Sequence, residues 1–364
     1  MGVDYGNNLQ RINAVKREVN ELLHHEEVFW KQRSKALWLP AGNKNTRFFY
    51  QRASQHRRKN HIEGLQDEVG VWHRDEGELS NMAEEYYKNL FTFGHPTQLE
   101  DVLNSVDKVV INDIRDSLLQ TYTAKEVRTT LFQMHSSKAP SPDGMSQFFY
   151  QKFWSIVGLD VTSAMLSVLH SGKNLRKMNF THILLIPKKN EPQHITKYRP
   201  ISLANVISRL VLKVLANWLK NILPKIISDA QSAFVLDRLI TDYTMVAFEM
   251  LHHMRNRRRG KIEHMAVKLD ISKGYDRVER CFLERIMIKL GLPEQWVDLA
   301  MNTVRIATYS ILLNGEPRGY ITPTRGIRQG DPPLSIPFFL YVEGLSSLLR
   351  QVIASNKLHA ITSC

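Results

Sequence analysis

The sequence predicts an α+β fold preceded by a mainly helical N-terminal region. Three observations lead there. Apolar residues in the first part of the chain recur three, four or seven apart with charges between them, the spacing of one helix face. Short apolar runs bounded by turn residues, such as Ile183 to Ile186 and Ser310 to Leu313, enter in the second half and read as strands. A hydrophobic fraction of 43% against 23% charged residues supplies a sizeable core, near the average for globular chains and unlike disordered ones. At roughly 150 residues per domain, 364 residues allow two or three packed units.

Taken in order, Leu9, Ile12, Val15, Val19, Leu22 and Leu23 predict a first helix after Asn7 and Asn8, which suit its N-cap. It runs on through Trp30 towards Trp38, until Pro40, Gly42 and Asn43 punctuate it. A second helix over 44–60 interleaves Lys44, Arg47, Arg52, Arg57, Arg58 and Lys59 with Phe48, Phe49 and Tyr50. That mixture suits either an amphipathic helix with its rings in the core or a surface for single-stranded nucleic acid, whose bases stack on rings and whose phosphates attract cations. Thr123 and Glu126 have the spacing of a capping box, and the turn-rich KAPSPDGM at 138–145 predicts an ordered loop before a helical run ending near Gly172.

Ile201 to Leu223 reads as a long apolar helix stopped by Pro224. Another helix extends from about Thr241 to the cluster Arg255, Arg257, Arg258, Arg259 and Lys261, ended by Gly260. Cations at a helix C-terminus are favoured by the macrodipole and need no ligand to explain them. Residues 264–270, HMAVKLD, predict a strand, then 279–290 a helix closed by Gly291, and Pro293 the start of the next. Ser310 to Leu313, the Asn314-Gly315 turn and Tyr320 to Thr322 form a hairpin signal. The last helix spans about Pro337 to Arg350, and no internal repeat or low-complexity tract occurs.

Lys and Arg total 49 against 36 Asp and Glu, a formal net charge of +13. Such a balance points to a polyanion, either nucleic acid or an anionic membrane surface, although a generic basic surface gives the same sum. The two cysteines, Cys281 and Cys364, are too few for a disulfide scaffold or a zinc site, as expected in a reducing compartment. No run reaches the 18 apolar residues of a spanning helix, and MGVDYGNNLQ lacks the apolar core of a signal peptide. The expectation is an intracellular protein of nucleus or cytoplasm, without membrane contact.

The sharpest chemical feature is AVKLDISKGYDRV, in which an apolar run delivers Asp270 to its end and Tyr275 follows at five residues. A carboxylate at a strand end can hold a hard cation such as Mg²⁺, and it can equally cap a turn. Asp276 and Glu279 have the spacing of a capping box for the following helix.

Five motifs then occur in one order: ILLIPKKNEP at 183, KYRPISL at 197, AQSAF at 230, KLDISKGYDRV at 268 and RGIRQGDPP at 325. In that order and rough spacing the chain resembles the reverse transcriptase of a plant LINE-type non-LTR retrotransposon. FWKQRSKALWLPAGNKNTRFF, KAPSPDGM and FFYQKFWSIVG are similar to the stretch that precedes the polymerase core in that family, so the resemblance covers about residues 20 to 350. It implies a right-hand polymerase, with a mainly helical extension over 1–120, a fingers-like part over 121–262 and a partial palm over 263–364. It also implies RNA-templated DNA synthesis, with an RNA template, a DNA primer, deoxynucleoside triphosphates and Mg²⁺.

Carried over by motif, Asp270 and the Ile271 backbone carbonyl would bind the catalytic metal, and Tyr275 would be the steric gate against a ribonucleotide. Lys188 and Arg199 would hold the incoming triphosphate, a task that suits the fork of a guanidinium. Gln329 and Gly330 would lie against nucleotide and template, with Asp331 in the same loop. Each has a plain structural reading beside it: a snorkelling Lys188, a surface Arg199, a simple turn at Gly330.

The sequence also departs from the family. The aromatic-Ala-Asp-Asp hairpin of the palm appears nowhere in it, and two-ion phosphoryl transfer needs more than one carboxylate. The resemblance therefore implies a polymerase region truncated before that motif and inactive as this isolated chain, or, alternatively, a non-catalytic basic RNA-binding remnant. Gly274 replaces the usual alanine beside the gate, Leu236 and Asp237 the usual Pro-Gly, and Ser141 a glycine, while Pro337 threatens the start of the last helix.

Overall fold

The structure, a computed structural model, describes residues 5–36, 38–42, 45–172, 175–229, 231, 238–256, 265–330 and 335–359. The chain divides into two compact units, one of residues 1–75 with 186–198 and one of residues 76–185 with 199–364.

The first unit begins with α1 (Tyr5–Ser34) and α2 (Thr46–Asn60). The apolar residues that predict α1 do produce a helix, yet Leu9, Val15 and Leu22 all remain exposed. Helical spacing alone does not say what a face packs against. In α2 Phe49 is fully buried, whereas Phe48 and Tyr50 are partly exposed, so only the middle ring of the three serves the core. Glu27 of α1 is buried and accepts the backbone N–H groups of Gly42 and Asn45, both at 2.8 Å, which fixes the turn between the helices. A small antiparallel hairpin, β1 (Leu65–Gln66) and β2 (Trp72–His73), follows. The 186–198 segment closes on it, where Gln66 N–H donates to the Gln193 carbonyl at 2.7 Å.

The second unit opens with α3 (Glu76–Leu90), α4 (Leu99–Asn104), α5 (Asn112–Leu118), α6 (Ala124–Gln133), α7 (Gln147–Lys152) and α8 (Trp154–Ser171). The Thr123–Glu126 capping box forms as expected: Glu126 N–H reaches Thr123 Oγ1 at 3.2 Å and Thr123 N–H reaches Glu126 Oε2 at 2.7 Å. Gly172 ends α8 in a left-handed conformation. Next come β3 (Phe180–Pro187), β4 (Tyr198–Ala204), α9 (Val206–Lys220), α10 (Leu223–Ile226), α11 (Ile240–Asn256), α12 (Arg280–Lys289), α13 (Glu294–Arg305), β5 (Thr308–Leu313), β6 (Glu316–Ile321) and α14 (Ser335–Ala354). The sheet order is β4-β3-β5-β6, with β3 parallel to β5 and Ile183 opposite Ile311. β5 and β6 are antiparallel across the Asn314-Gly315 turn, both of whose residues have positive φ. Leu131, Met165, Leu210, Leu283, Ile286 and Leu340 are among the fully enclosed side chains of one core shared by helices of this unit.

Four expectations are corrected. The helix expected over Ile201 to Leu223 is a strand first, because Pro200 holds Arg199 extended and burial alternates along β4. Only Val206–Lys220 is helical before a break, and Pro224 sits in the first turn of α10 rather than stopping a helix. The strand expected over 264–270 does not form: residues 265–270 have no regular structure and are exposed, Met265 at 80% and Leu269 at 66%. Apolar alternation makes a strand only where a neighbouring backbone completes its hydrogen bonds, and no described strand pairs with this stretch. The Asp276–Glu279 capping box is absent as well. Glu279 is itself the N-cap of α12, and Asp276 is buried in a short 3₁₀ turn. Finally, Pro337 does not disturb the last helix, since α14 starts at Ser335 and a proline in the first turn displaces no helical hydrogen bond. The basic residues 257–261, Lys44, Leu236, Asp237, Asp331 and Cys364 lie outside the described residues. Among the described residues no helix is long and apolar enough to cross a membrane.

Candidate functional site

In the second unit three separate pieces of sequence meet. The turn 271–278 is bonded to the loop 323–330 by two backbone hydrogen bonds, Gly326 N–H to Val278 O at 2.8 Å and Ile327 N–H to Tyr275 O at 2.9 Å. The far end of that loop rests on β4, whose Ser202 N–H donates to the Gln329 carbonyl at 2.8 Å. Gly330 has φ of +108°, and a Cβ built there would lie 3.5 Å from Ile201. Glycine is therefore required for its backbone conformation, not for lack of space. Tyr275, Gln329 and Gly330 are thus brought together with the strand that carries the exposed Arg199.

Tyr275 stacks on Phe338 of α14, ring centroids 4.4 Å apart and planes 21° apart, and burial raises its phenol above the ordinary range. The same Phe338 ring fills the space beside Gly274, where a Cβ would come within 3.1 Å of it. The glycine found there relieves a contact with a ring rather than merely loosening the backbone.

Two arginines that sequence reasoning passed over hold the loop. Arg280 is buried at the start of α12, its Nε donating to Gly326 O at 3.0 Å and Nη1 to Pro323 O at 2.5 Å. Burial lowers its pKa despite the favourable influence of Tyr309. Arg328 is buried as well, donating to Asn179 Oδ1 at 2.5 Å and Thr181 Oγ1 at 3.4 Å. The available signal for Arg280 was its spacing of three and seven from the core residues Leu283 and Met287. Arg328 had no such periodicity to reveal it. Glu279 meets Arg325 at 3.3 Å and the Gly94 N–H at 3.2 Å. Burial raises its carboxyl and Arg325 opposes that shift.

Lys273, in the turn between Asp270 and Tyr275, has φ of +55°. Its ammonium hydrogen-bonds Tyr86 Oη and stands 4.2 Å from the centroid of that ring. Burial pushes its pKa down to about 8, with Asp276 pulling it back up and Arg277 pressing it further down. Between that value and the unfolded value near 10.4 the unfolded chain holds more of the proton, so stability rises with pH through this window. Urea unfolding at successive pH values is expected to show wild type gaining on Lys273→Met from about pH 8 to pH 10. Parallel curves would sink this assignment.

Asp270 and Ile271 are exposed and lie outside any regular element, and Lys188 is exposed in the first unit with Nζ 3.4 Å from Thr196 O. Among the described residues no group of three or more His, Cys, Asp or Glu side chains is placed to hold a metal ion. Asp270 and the Ile271 carbonyl offer one carboxylate and one carbonyl, which do not fit a two-ion centre by themselves.

Comparison with known proteins agrees with the motif order. The family described as reverse transcriptase (RNA-dependent DNA polymerase) matches residues 186–361. The chain is similar to the uncharacterized 149 kDa protein of transposon TX1 from Xenopus laevis, 26% identical over 85% of this chain and 24% of that protein. It is also similar to the retrovirus-related Pol polyprotein of the type-2 retrotransposable element R2DM from Drosophila melanogaster, 24% identical over 76% of this chain and 25% of that protein. With the type-1 retrotransposable element R2 polyprotein of Nasonia vitripennis the identity is 25% over 53% of this chain and 18% of that protein. The chain thus spans about a quarter or less of the length of these relatives.

Proposed function

Given that this chain carries a reverse transcriptase domain of a non-LTR retrotransposon, we propose that its second unit holds an incoming deoxynucleoside triphosphate against an RNA template and DNA primer. The observation that carries this reading is the joining of the 271–278 turn, the 323–330 loop and β4 into one hydrogen-bonded surface. On that surface Tyr275 is the gate against a ribonucleotide, Gln329 and Gly330 face the base pair, and Arg199 takes the phosphates. Lys188 is assigned to the phosphates on motif resemblance alone. Asp270 and the Ile271 carbonyl would offer one carboxylate and one carbonyl to Mg²⁺, the ion that reverse transcriptases generally require. We assign a fingers-like part to 121–262, a partial palm to 263–364, and a plant LINE-type element as the origin, on motif resemblance.

Because the aromatic-Ala-Asp-Asp motif of the family appears nowhere in the sequence, these 364 residues alone are proposed not to polymerise. In primer extension with the purified chain, an RNA template, Mg²⁺ and deoxynucleotides, no product is expected. Extension that disappears in Asp270→Ala would overturn that claim and establish the carboxylate as catalytic. Nucleotide contact is tested separately by equilibrium binding of a labelled deoxynucleoside triphosphate. Arg199→Ala is expected to weaken it about tenfold, the order of one charge-assisted hydrogen bond; unchanged affinity would remove Arg199 from the site.

The net charge of +13 favours a second reading, a non-catalytic RNA-binding remnant. It requires RNA retention that falls steeply with salt. Salt-insensitive retention would exclude it.

A further inference from the structure

We propose that α1 is a self-association helix that pairs, antiparallel, with α1 of a second copy of this chain. From residue 8 to residue 26 every side chain of α1 is exposed. A lone helix is marginal in water, and helices in proteins owe most of their stability to the packing of an apolar face. α1 carries such a face without a neighbour. Ile12, Val15, Val19, Leu22 and Phe29 lie along it, each between 44% and 61% exposed. With Asn8 and Glu26 they occupy alternating steps of four and three residues from 8 to 29. That is the 3.5-residue repeat of a coiled-coil seam, narrower than the stripe by which a helix packs on a globular core. The run covers about three heptads, the length at which such spacing argues for a coiled coil.

The seam matches its own inverse. Laid against an inverted copy so that Val15 meets Val19, it also sets Ile12 against Leu22 and Asn8 against Glu26. The two polar seam residues then meet each other, amide donor to carboxylate, and no apolar layer faces a polar one. Shifting the copy by one heptad in either direction sets Asn8 against Val19 or Glu26 against Val15, which leaves a polar group facing an apolar one. Leu9 and Leu23 flank the seam on one side and are exposed, and in the inverted pair each falls beside the other.

Charge selects the same arrangement. Residues 11–17 hold Arg11, Lys16 and Arg17 and no acid, whereas 18–27 hold Glu18, Glu21, Glu26 and Glu27 and no Lys or Arg. An antiparallel pair lays each basic half along the acidic half of the second copy. A parallel pair in register lays like on like and sets Glu26 against the second copy's Glu26. Near the two-fold axis Lys16 and Glu18 each flank their own counterparts, a repulsion that exposed side chains relieve by turning into water.

The test is sedimentation equilibrium of the full, nuclease-treated chain across protein concentration, with cross-linking to fix direction. A monomer–dimer equilibrium is expected. Val15→Asp spoils two layers of the dimer at once and should weaken association at least about a hundredfold, while His24→Gln on the outward face should leave it unchanged. Asn8→Lys, which needs no loss of packing, should tighten association about tenfold by meeting Glu26 with a charge. In a parallel pair the same change would oppose like charges and weaken it, so this variant decides the matter even where Val15→Asp fails to fold. Cysteines are then placed singly by Ile12→Cys and Leu22→Cys in a chain carrying Cys281→Ser and Cys364→Ser. Mixed, the two variants should form a disulfide between them, and each alone should form little. Disulfides within each variant alone would overturn the antiparallel pairing. A chain that stays monomeric up to about 0.1 mM would overturn self-association and leave the face to another occupant. A dimer indifferent to Val15→Asp would place the interface elsewhere and also overturn the proposal. None of these outcomes bears on the nucleotide reading, which is tested by triphosphate binding.

Discussion

Gly326→Ala is expected to destabilise the second unit by about 3 kcal/mol, a sum of left-handed backbone strain and overpacking. Gly326 has φ of +82°, and a Cβ built on it would lie 2.6 Å from the Asp276 carbonyl oxygen. That oxygen is backbone in a tight turn and has no rotamer through which to retreat. Relief requires the 323–330 loop to lift away, which would break the Gly326–Val278 and Ile327–Tyr275 hydrogen bonds. In a unit of this size the loss corresponds to a fall in melting temperature of about 5 °C. Nucleotide affinity should fall with it, since the same bonds hold Tyr275 and Gln329 on one surface. A melting curve unchanged from wild type would show that the loop and the turn are not joined as described.

Arg328→Met is expected to cost about 2–3 kcal/mol in urea unfolding. The guanidinium is buried at 3% exposure and donates to Asn179 Oδ1 and Thr181 Oγ1. Asn179 has no exposure of its own and is committed on its other side, with Nδ2 donating to Thr303 O at 2.7 Å. Methionine fills much of the volume but leaves those oxygens without their charged donor, and buried acceptors lose more than the bond alone. The desolvation cost of the guanidinium is relieved in the variant, which is why the expected loss stays modest. Both bonds come from Nη1, so Arg328→Lys, whose ammonium has three donors, should recover part of the loss, short of the reach and planarity of the guanidinium. Full recovery by lysine would mean that charge, and not geometry, anchors the loop.

Local chemistry written within a few residues was legible in the sequence. The Thr123–Glu126 box, the Asn314-Gly315 hairpin and the left-handed Gly172 each depend on neighbours in the chain, and each forms as its residues dictate. Motif order identified the reverse transcriptase domain without any knowledge of shape. Elements that depend on distant partners were not legible. HMAVKLD has the alternation of a strand but finds no ladder among the described strands, while Ile201 and Leu203 look helical and are claimed by the sheet beside β3. For the same reason the Glu279 side chain meets Arg325 and Gly94, residues that only folding brings near, in place of the expected capping box with Asp276.

The sequence by itself determined the likeness to reverse transcriptases, the basic balance and the residue types at the candidate site: an aspartate, a tyrosine, a glutamine-glycine loop and cations. Tertiary structure alone decided how they are held. It buried Arg280 and Arg328 under the loop, set Tyr275 on Phe338, drew Lys273 onto Tyr86, and left the apolar stripe of α1 open to water. The physical reason is that charge and hydrogen-bonding capacity belong to each residue, whereas burial and partners belong to chain segments that approach only on folding.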